Sequence, residues 1–127
     1  MSIGAENLSW RIGKKVIVND VSLSVPTGQT MGLLGPNGSG KSSLLRILAG
    51  LRRPDAGRVT LDGGDVRELG KKALAKRVAF VEQHAATEAN MRVRDVVKLG
   101  RIPHHSPFSS WSQQDDKVVN EALARVD

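Results

Sequence analysis

The sequence contains no cysteine and no tyrosine, and its aromatic residues are only two tryptophans and two phenylalanines. Without cysteine there are no disulfides, no thiolate zinc sites and no cysteine nucleophile, and a reducing compartment suits the chain. The densest basic run, Lys71, Lys72, Lys76 and Arg77, has no aromatic residue interleaved with it. Stacking platforms for nucleic acid are therefore missing, and the run reads as a solvated helix face. Long hydrophobic runs are also lacking. The longest uncharged stretch, residues 21–40, holds Pro26, Pro36 and five glycines, whereas a membrane-spanning helix needs about 20 mostly apolar residues. The first residues carry Glu6 and no apolar stretch, so no signal peptide is expected.

The 127 residues are enough for one ordinary domain with its own core. Hydrophobic residues make up 39% and charged residues 25%, the balance of a folded soluble chain rather than a disordered one. The net charge is +6: residues 1–100 carry an excess of basic groups, and residues 101–127 are acidic by one charge.

Short strands are expected at Leu8–Trp10 and Lys15–Val18, joined by a turn at residues 11–14. Val21–Val25 alternates apolar and polar, as a half-buried strand does. Thr30–Leu34 and Val78–Val81 are short apolar runs and read as buried strands. Leu44, Leu45, Leu48 and Ala49 fall at helical spacing from Lys41 onward, and Gly50 stands where a helix-ending glycine belongs. Arg58–Leu61 reads as a strand closed by the turn Asp62-Gly63. Helices are expected at 71–77, 94–99 and 115–126, with an irregular loop over 102–112.

One motif dominates. Gly35-Pro36-Asn37-Gly38-Ser39-Gly40-Lys41-Ser42 fits the phosphate-loop pattern at every position. Its glycines let successive backbone N–H groups turn toward a phosphate. The following helix presents its positive end. Lys41 is a mobile point charge suited to β- and γ-phosphates, and Ser42 offers a hydroxyl to Mg²⁺. The plainer alternative is a glycine turn that only starts a helix. The flanking apolar run, the lysine and the hydroxyl together favour nucleotide binding.

The wording from Val21 to Gly63 resembles the ATP-binding subunits of ATP-binding-cassette (ABC) transporters. It includes Leu33–Leu45, Leu48-Ala49-Gly50-Leu51, Pro54, Gly57, Val59 and Asp62-Gly63. The stretch Val96–His104, with Asp116 and Ala122-Leu123, resembles the branch that imports metal chelates: ferric siderophores, haem and cobalamin. The resemblance implies an α/β fold. Its parts are a P-loop NTPase (RecA-like) core, an antiparallel β subdomain and the beginning of a helical subdomain. The division it implies is residues 1–90 for the first part of the ATP-binding core and 91–127 for the start of the helical part. It implies ATP and Mg²⁺ as cofactors, transmembrane permease subunits and a second ATP-binding subunit as partners, no nucleic acid, and a peripheral place on the cytoplasmic side of the membrane.

At matching positions the resemblance assigns Gly35, Pro36, Asn37, Gly38, Ser39, Gly40, Lys41, Ser42 and Ser43 to the phosphates. Ser43 replaces a more usual threonine and keeps its hydroxyl. Trp10, 25 residues before Gly35, is placed on adenine. Gln83, 42 residues after Lys41, is taken as the glutamine that contacts Mg²⁺ and the attacking water. Lys41 and Gln83 are thus the catalytic candidates, and Ser42 and Gln83 the Mg²⁺ candidates. Plainer alternatives are a half-buried strand tryptophan and a solvated loop glutamine. His104 and His105 are adjacent and lack further ligands, so packing or solvation is expected of them.

Arg92 stands where a capping threonine is common, and arginine cannot accept the free N–H groups of a helix start. Leu61–Asp65 mimics the family's Leu-Ser-Gly-Gly-Gln motif but reads as a hairpin turn. Residues 16–20 mimic its Asp-bearing strand but precede the phosphate loop. That motif and a catalytic glutamate are not found in these 127 residues, so the chain reads as the N-terminal part of such a subunit, predicted to be inactive alone. The competing reading is a nucleotide-binding or regulatory module that does not hydrolyse ATP.

Overall fold

A computed structural model describes residues 1–83 and 90–126. Its sheet is antiparallel. Strand β1 (Ile3–Ile12) and strand β2 (Lys15–Val25) form a long hairpin, with Ile12 opposite Lys15. The two-residue turn places Gly13 at φ 58, a positive value that such loops favour at their first position. The expected short strands are therefore two long ones. Their continuity is kept across register shifts between Ala5 and Trp10. There Asn7 and Asp20 adopt φ near 50, and side chains replace ladder bonds. Asn7 N–H donates to Ser22 Oγ at 2.9 Å, Asp20 N–H to Ser9 Oγ at 3.0 Å, and Asn7 Nδ2 to Asp20 Oδ1 at 2.9 Å. Short polar side chains at this level make the bulge tolerable.

Strand β3 (Ala56–Leu61) pairs with the other edge of β1, and the two-residue β4 (Gly64–Asp65) follows it. The order is β2-β1-β3-β4. Asp62 and Gly63 both take positive φ in the connecting turn, as an Asp-Gly hairpin requires. The expected turn over Leu61–Asp65 is present. Gly57 crosses β1 so closely that a Cβ would collide with the carbonyls of Glu6 and Asn7.

Helix α1 (Lys41–Leu48) lies on one face of the sheet. Its Leu44, Ile47 and Leu48 are buried at the spacing of one helical face. They join Ala5, Leu8, Val18, Val59 and Leu61 in the core. The helix stops as its sequence demands. Gly50 takes φ 70, Gly50 N–H bonds Ile47 O, and Leu51 N–H bonds Arg46 O at 2.9 Å, which satisfies the last carbonyls.

Helix α2 (Lys71–Ala75) is short. Helices α3 (Val93–Leu99) and α4 (Gln113–Leu123) pack on each other, joined through a single 3₁₀ turn at Ile102–His104. Arg92 precedes α3 without a side-chain cap, as expected. At α4, Ser112 and Asp115 form a reciprocal capping box. Asp115 is buried and accepts from Arg101 Nε at 2.8 Å, which ties the loop between the helices to the start of α4. Hydrogen bonds from Ser112 and then from Arg101 hold the Asp115 carboxyl well below its ordinary pKa.

Two expectations are corrected. Residues 30–34 and 78–81 join no strand ladder. Leu34 is 93% and Val81 91% exposed. A buried strand needs neighbours to satisfy its backbone on both sides. Among the described residues, the four strands pair only with one another.

Candidate functional site

The candidate phosphate loop runs from Gly35 into the first turn of α1. Gly38 and Gly40 take φ 82 and φ 91, values that cost other residues strain. Gly40 also has no room for a side chain, because a Cβ would strike the Ile17 carbonyl of β2. The loop is thus seated on the hairpin at Ile17, next to Val18, which pairs with Trp10. Ser39 N–H closes the turn on Pro36 O at 3.3 Å. Gly40 begins α1 without a side-chain cap, and the first turn contains no acidic residue. The free N–H groups of that turn and the helix dipole together favour an anion here.

Lys41 folds back over this loop. Its Nζ donates to Gly35 O at 2.7 Å and to Pro36 O at 2.8 Å. These are carbonyl partners, and among the described residues no carboxylate pairs with the charge. A phosphate entering the loop offers stronger, charge-assisted acceptors to the same ammonium. Ser42 is exposed beside it in the first helical turn, and Ser43 is half-buried. Gly35 to Ser43 therefore form one continuous surface.

The other two expected site residues lie on other segments, Trp10 on β1 and Gln83 after residues 78–81. Gln83 is exposed, in a bend, and makes no side-chain hydrogen bond among the described residues. The segment leading to it is held to α1 by Arg46 Nη2 on Glu82 Oε1 at 3.2 Å. This link between residues 36 positions apart has no local signal in the sequence. Trp10 is a core residue, only 8% exposed. The Arg52 guanidinium lies 4.2 Å from its ring centroid, a cation–π contact. An adenine stacked on that face must first displace Arg52.

His104 and His105 do not build a metal site. Among the described residues no group of three or more His, Asp or Glu side chains is placed to hold an ion. His105 stacks on Trp111 with centroids 5.6 Å apart and faces Asp115 with Nε2 3.2 Å from Oδ1. Its role is packing, as expected.

The comparisons agree with this geometry. The family model described as ABC transporter matches residues 18–127. The ferric enterobactin transport ATP-binding protein FepC of Escherichia coli is 35% identical over 93% of this chain and 44% of its own length. The hemin import ATP-binding protein HmuV of Pseudomonas entomophila is 39% identical over 98% of this chain and 48% of its own. A solved dimeric bacterial ABC transporter cassette, MJ0796, superposes with a TM-score of 0.76 at 25% identity, over 96% of this chain and 54% of that one. The chain spans less than half the length of these two curated relatives. With the matched region running from β2 to α4 through the glycine-rich loop at Gly35–Gly40, the chain belongs to the ABC transporter family.

Proposed function

We propose that this chain binds Mg-ATP through Gly35–Ser43, as the ATP-binding, energy-coupling part of an importer for iron–siderophore, haem or cobalamin-type chelates. The observation that carries the nucleotide reading is Lys41. Among the described residues its ammonium is held at the loop only by the carbonyls of Gly35 and Pro36, at a helix start with no acidic residue. The chelate-import reading rests on the relatives, whose names include siderophore, hemin and cobalamin import.

Each residue has a part. The loop N–H groups and the α1 dipole bind the phosphate oxygens. Lys41 exchanges its two carbonyl partners for β- and γ-phosphate oxygens, and the Ser43 hydroxyl contacts the α-phosphate in this reading. The exposed Ser42 hydroxyl fits Mg²⁺, an ion that takes few protein ligands and keeps several waters. The ion, when bound, neutralises phosphate charge. Gln83 offers an amide oxygen to the metal and water, and Glu82–Arg46 anchors the segment that carries it. Trp10 takes the adenine when Arg52 leaves its face. Residues 1–90 form the core part and residues 91–127 the helical part in this reading. The permease and a second ATP-binding subunit are the partners, with the chain peripheral to the membrane.

The test is calorimetric titration with ATP, with and without Mg²⁺, on the chain and on Ser42→Ala. The proposal expects Mg²⁺ to tighten ATP binding in the parent and to have little effect in the variant. Equal Mg²⁺ dependence in both would remove Ser42 from the metal site. Failure to co-purify with a chelate-importer permease would remove the transport reading and leave nucleotide binding intact.

A further inference from the structure

At the end of α1 remote from the phosphate loop lies an open pocket of ≈ 410 Å³. Its volume falls in the range of small-molecule sites. Four cations stand around it: Arg52, Arg53, Arg67 and Lys71. Its floor is apolar and is formed by Val59 of β3, Val66 directly after β4, Ile47 of α1 and Leu74 of α2. No carboxylate lines it among the described residues.

The four cations differ in their surroundings. Arg67 is held by Asp65, with Nη2 2.6 Å from Oδ2, so its charge is largely matched. Arg52 lies with its guanidinium over Trp10. Arg53 and Lys71 have no ion-pair partner among the described residues. Three like charges thus surround one apolar floor without a counter-charge. Each is solvated and individually tolerable, but their shared surroundings leave an uncompensated positive field over a surface that water wets poorly. A bare inorganic anion would satisfy the charges and leave the floor wet. A neutral hydrocarbon would do the reverse.

We propose that this pocket binds a small organic oxyanion, with an apolar body on Val59, Val66 and Leu74 and a carboxylate or phosphate monoester head among Arg52, Arg53 and Lys71. Arginine's planar fork matches both head groups. The site is separate from the phosphate loop, because its residues lie at or beyond the last turn of α1 and Lys41 is not among them. It shares only Arg52 with the nucleotide proposal, through the contact of that guanidinium with Trp10, so Arg52 is left unchanged in the test.

The test is calorimetry on the whole chain with three probes: 1-naphthoate, 1-naphthyl phosphate and neutral 1-naphthol. Binding is repeated with Arg53→Gln, Lys71→Gln and, to separate the phosphate loop, Lys41→Ala. Circular dichroism checks that each exposed-site variant is folded. Both anions are expected to bind at least tenfold more tightly than the naphthol. Each rim variant should weaken them about fivefold, the effect of one partly solvated ion pair, and Lys41→Ala should leave naphthoate binding unchanged. A preference for one anion over the other identifies the head group. Equal affinity for naphthol, or no response to either rim variant, would overturn the proposal. So would loss of both anions in Lys41→Ala, which would place them in the phosphate loop.

Discussion

Gly40 and Gly38 offer a controlled comparison, because both lie in the phosphate loop and both take positive φ, 91 and 82. They differ in what a side chain would meet. Nothing lies within 4 Å of a Cβ at Gly38, whereas a Cβ at Gly40 runs into the Ile17 carbonyl. Gly38→Ala should therefore cost only the left-handed backbone strain, about 1–2 kcal/mol. Gly40→Ala adds displacement of a backbone group that is fixed in the β1–β2 hairpin, a further ~1–3 kcal/mol by analogy with overpacked cores. For a chain of this size each kcal/mol moves the melting midpoint by about 4 °C. Scanning calorimetry should then show a loss of about 4–8 °C for Gly38→Ala and about 8–20 °C for Gly40→Ala. The loop of Gly40→Ala should also bind ATP worse, since moving Ile17 or the loop opens the N–H cradle. If the two variants melt together, the loop is not seated on Ile17 and the described contact is wrong.

Ser112→Ala removes the cap of α4, and denaturant unfolding should register a loss of ~0.5–2 kcal/mol. Asp115 has a folded pKa below its unfolded value, so its stabilisation is complete above pH about 4. It is lost as the pH falls from there, and an Asp115→Asn variant should show a flatter stability profile over that acid range. Trp10→Ala should cost ~3–5 kcal/mol as a core truncation. Trp10→Phe is the cleaner probe: it keeps the packing and should weaken ATP more than inorganic triphosphate. If ATP instead changes the emission of Trp111 and leaves that of Trp10 unaltered, the base lies elsewhere. Phosphate release by this chain is expected to be no faster than by Lys41→Ala, because Gln83 is an amide and cannot act as a base. Turnover near one per second, within the usual enzyme range, would contradict that.

What was legible in the sequence is what local chemistry decides. The Asp62-Gly63 hairpin turn, the glycine stop of α1, the uncapped Arg92 and the glycine-rich turn that leads into α1 all follow from residues within a few positions of one another. The lengths of β1 and β2 were not legible, because their continuity depends on Asn7, Ser9, Asp20 and Ser22 bridging a bulge across the hairpin. Residues 30–34 and 78–81 have the composition of buried strands. Composition specifies what a strand buries but does not supply the neighbour that completes its ladder. In the candidate site, Gly35–Ser43 are contiguous in the sequence and lie together at the start of α1. The cover that Arg52 makes over Trp10 and the Arg46–Glu82 link join residues 42 and 36 positions apart, and no periodicity signals such pairs.

The account turns on one ammonium group. Titration calorimetry of Mg-ATP into the parent chain and Lys41→Ala tests it most directly. Lys41 is half-exposed and among the described residues bonds only two loop carbonyls, so the variant should fold and melt much like the parent. Measurable ATP binding by the parent, lost in Lys41→Ala while the fold is retained, is the expected result. Equal binding by the two proteins would contradict the assignment of Gly35–Ser43 as the phosphate site.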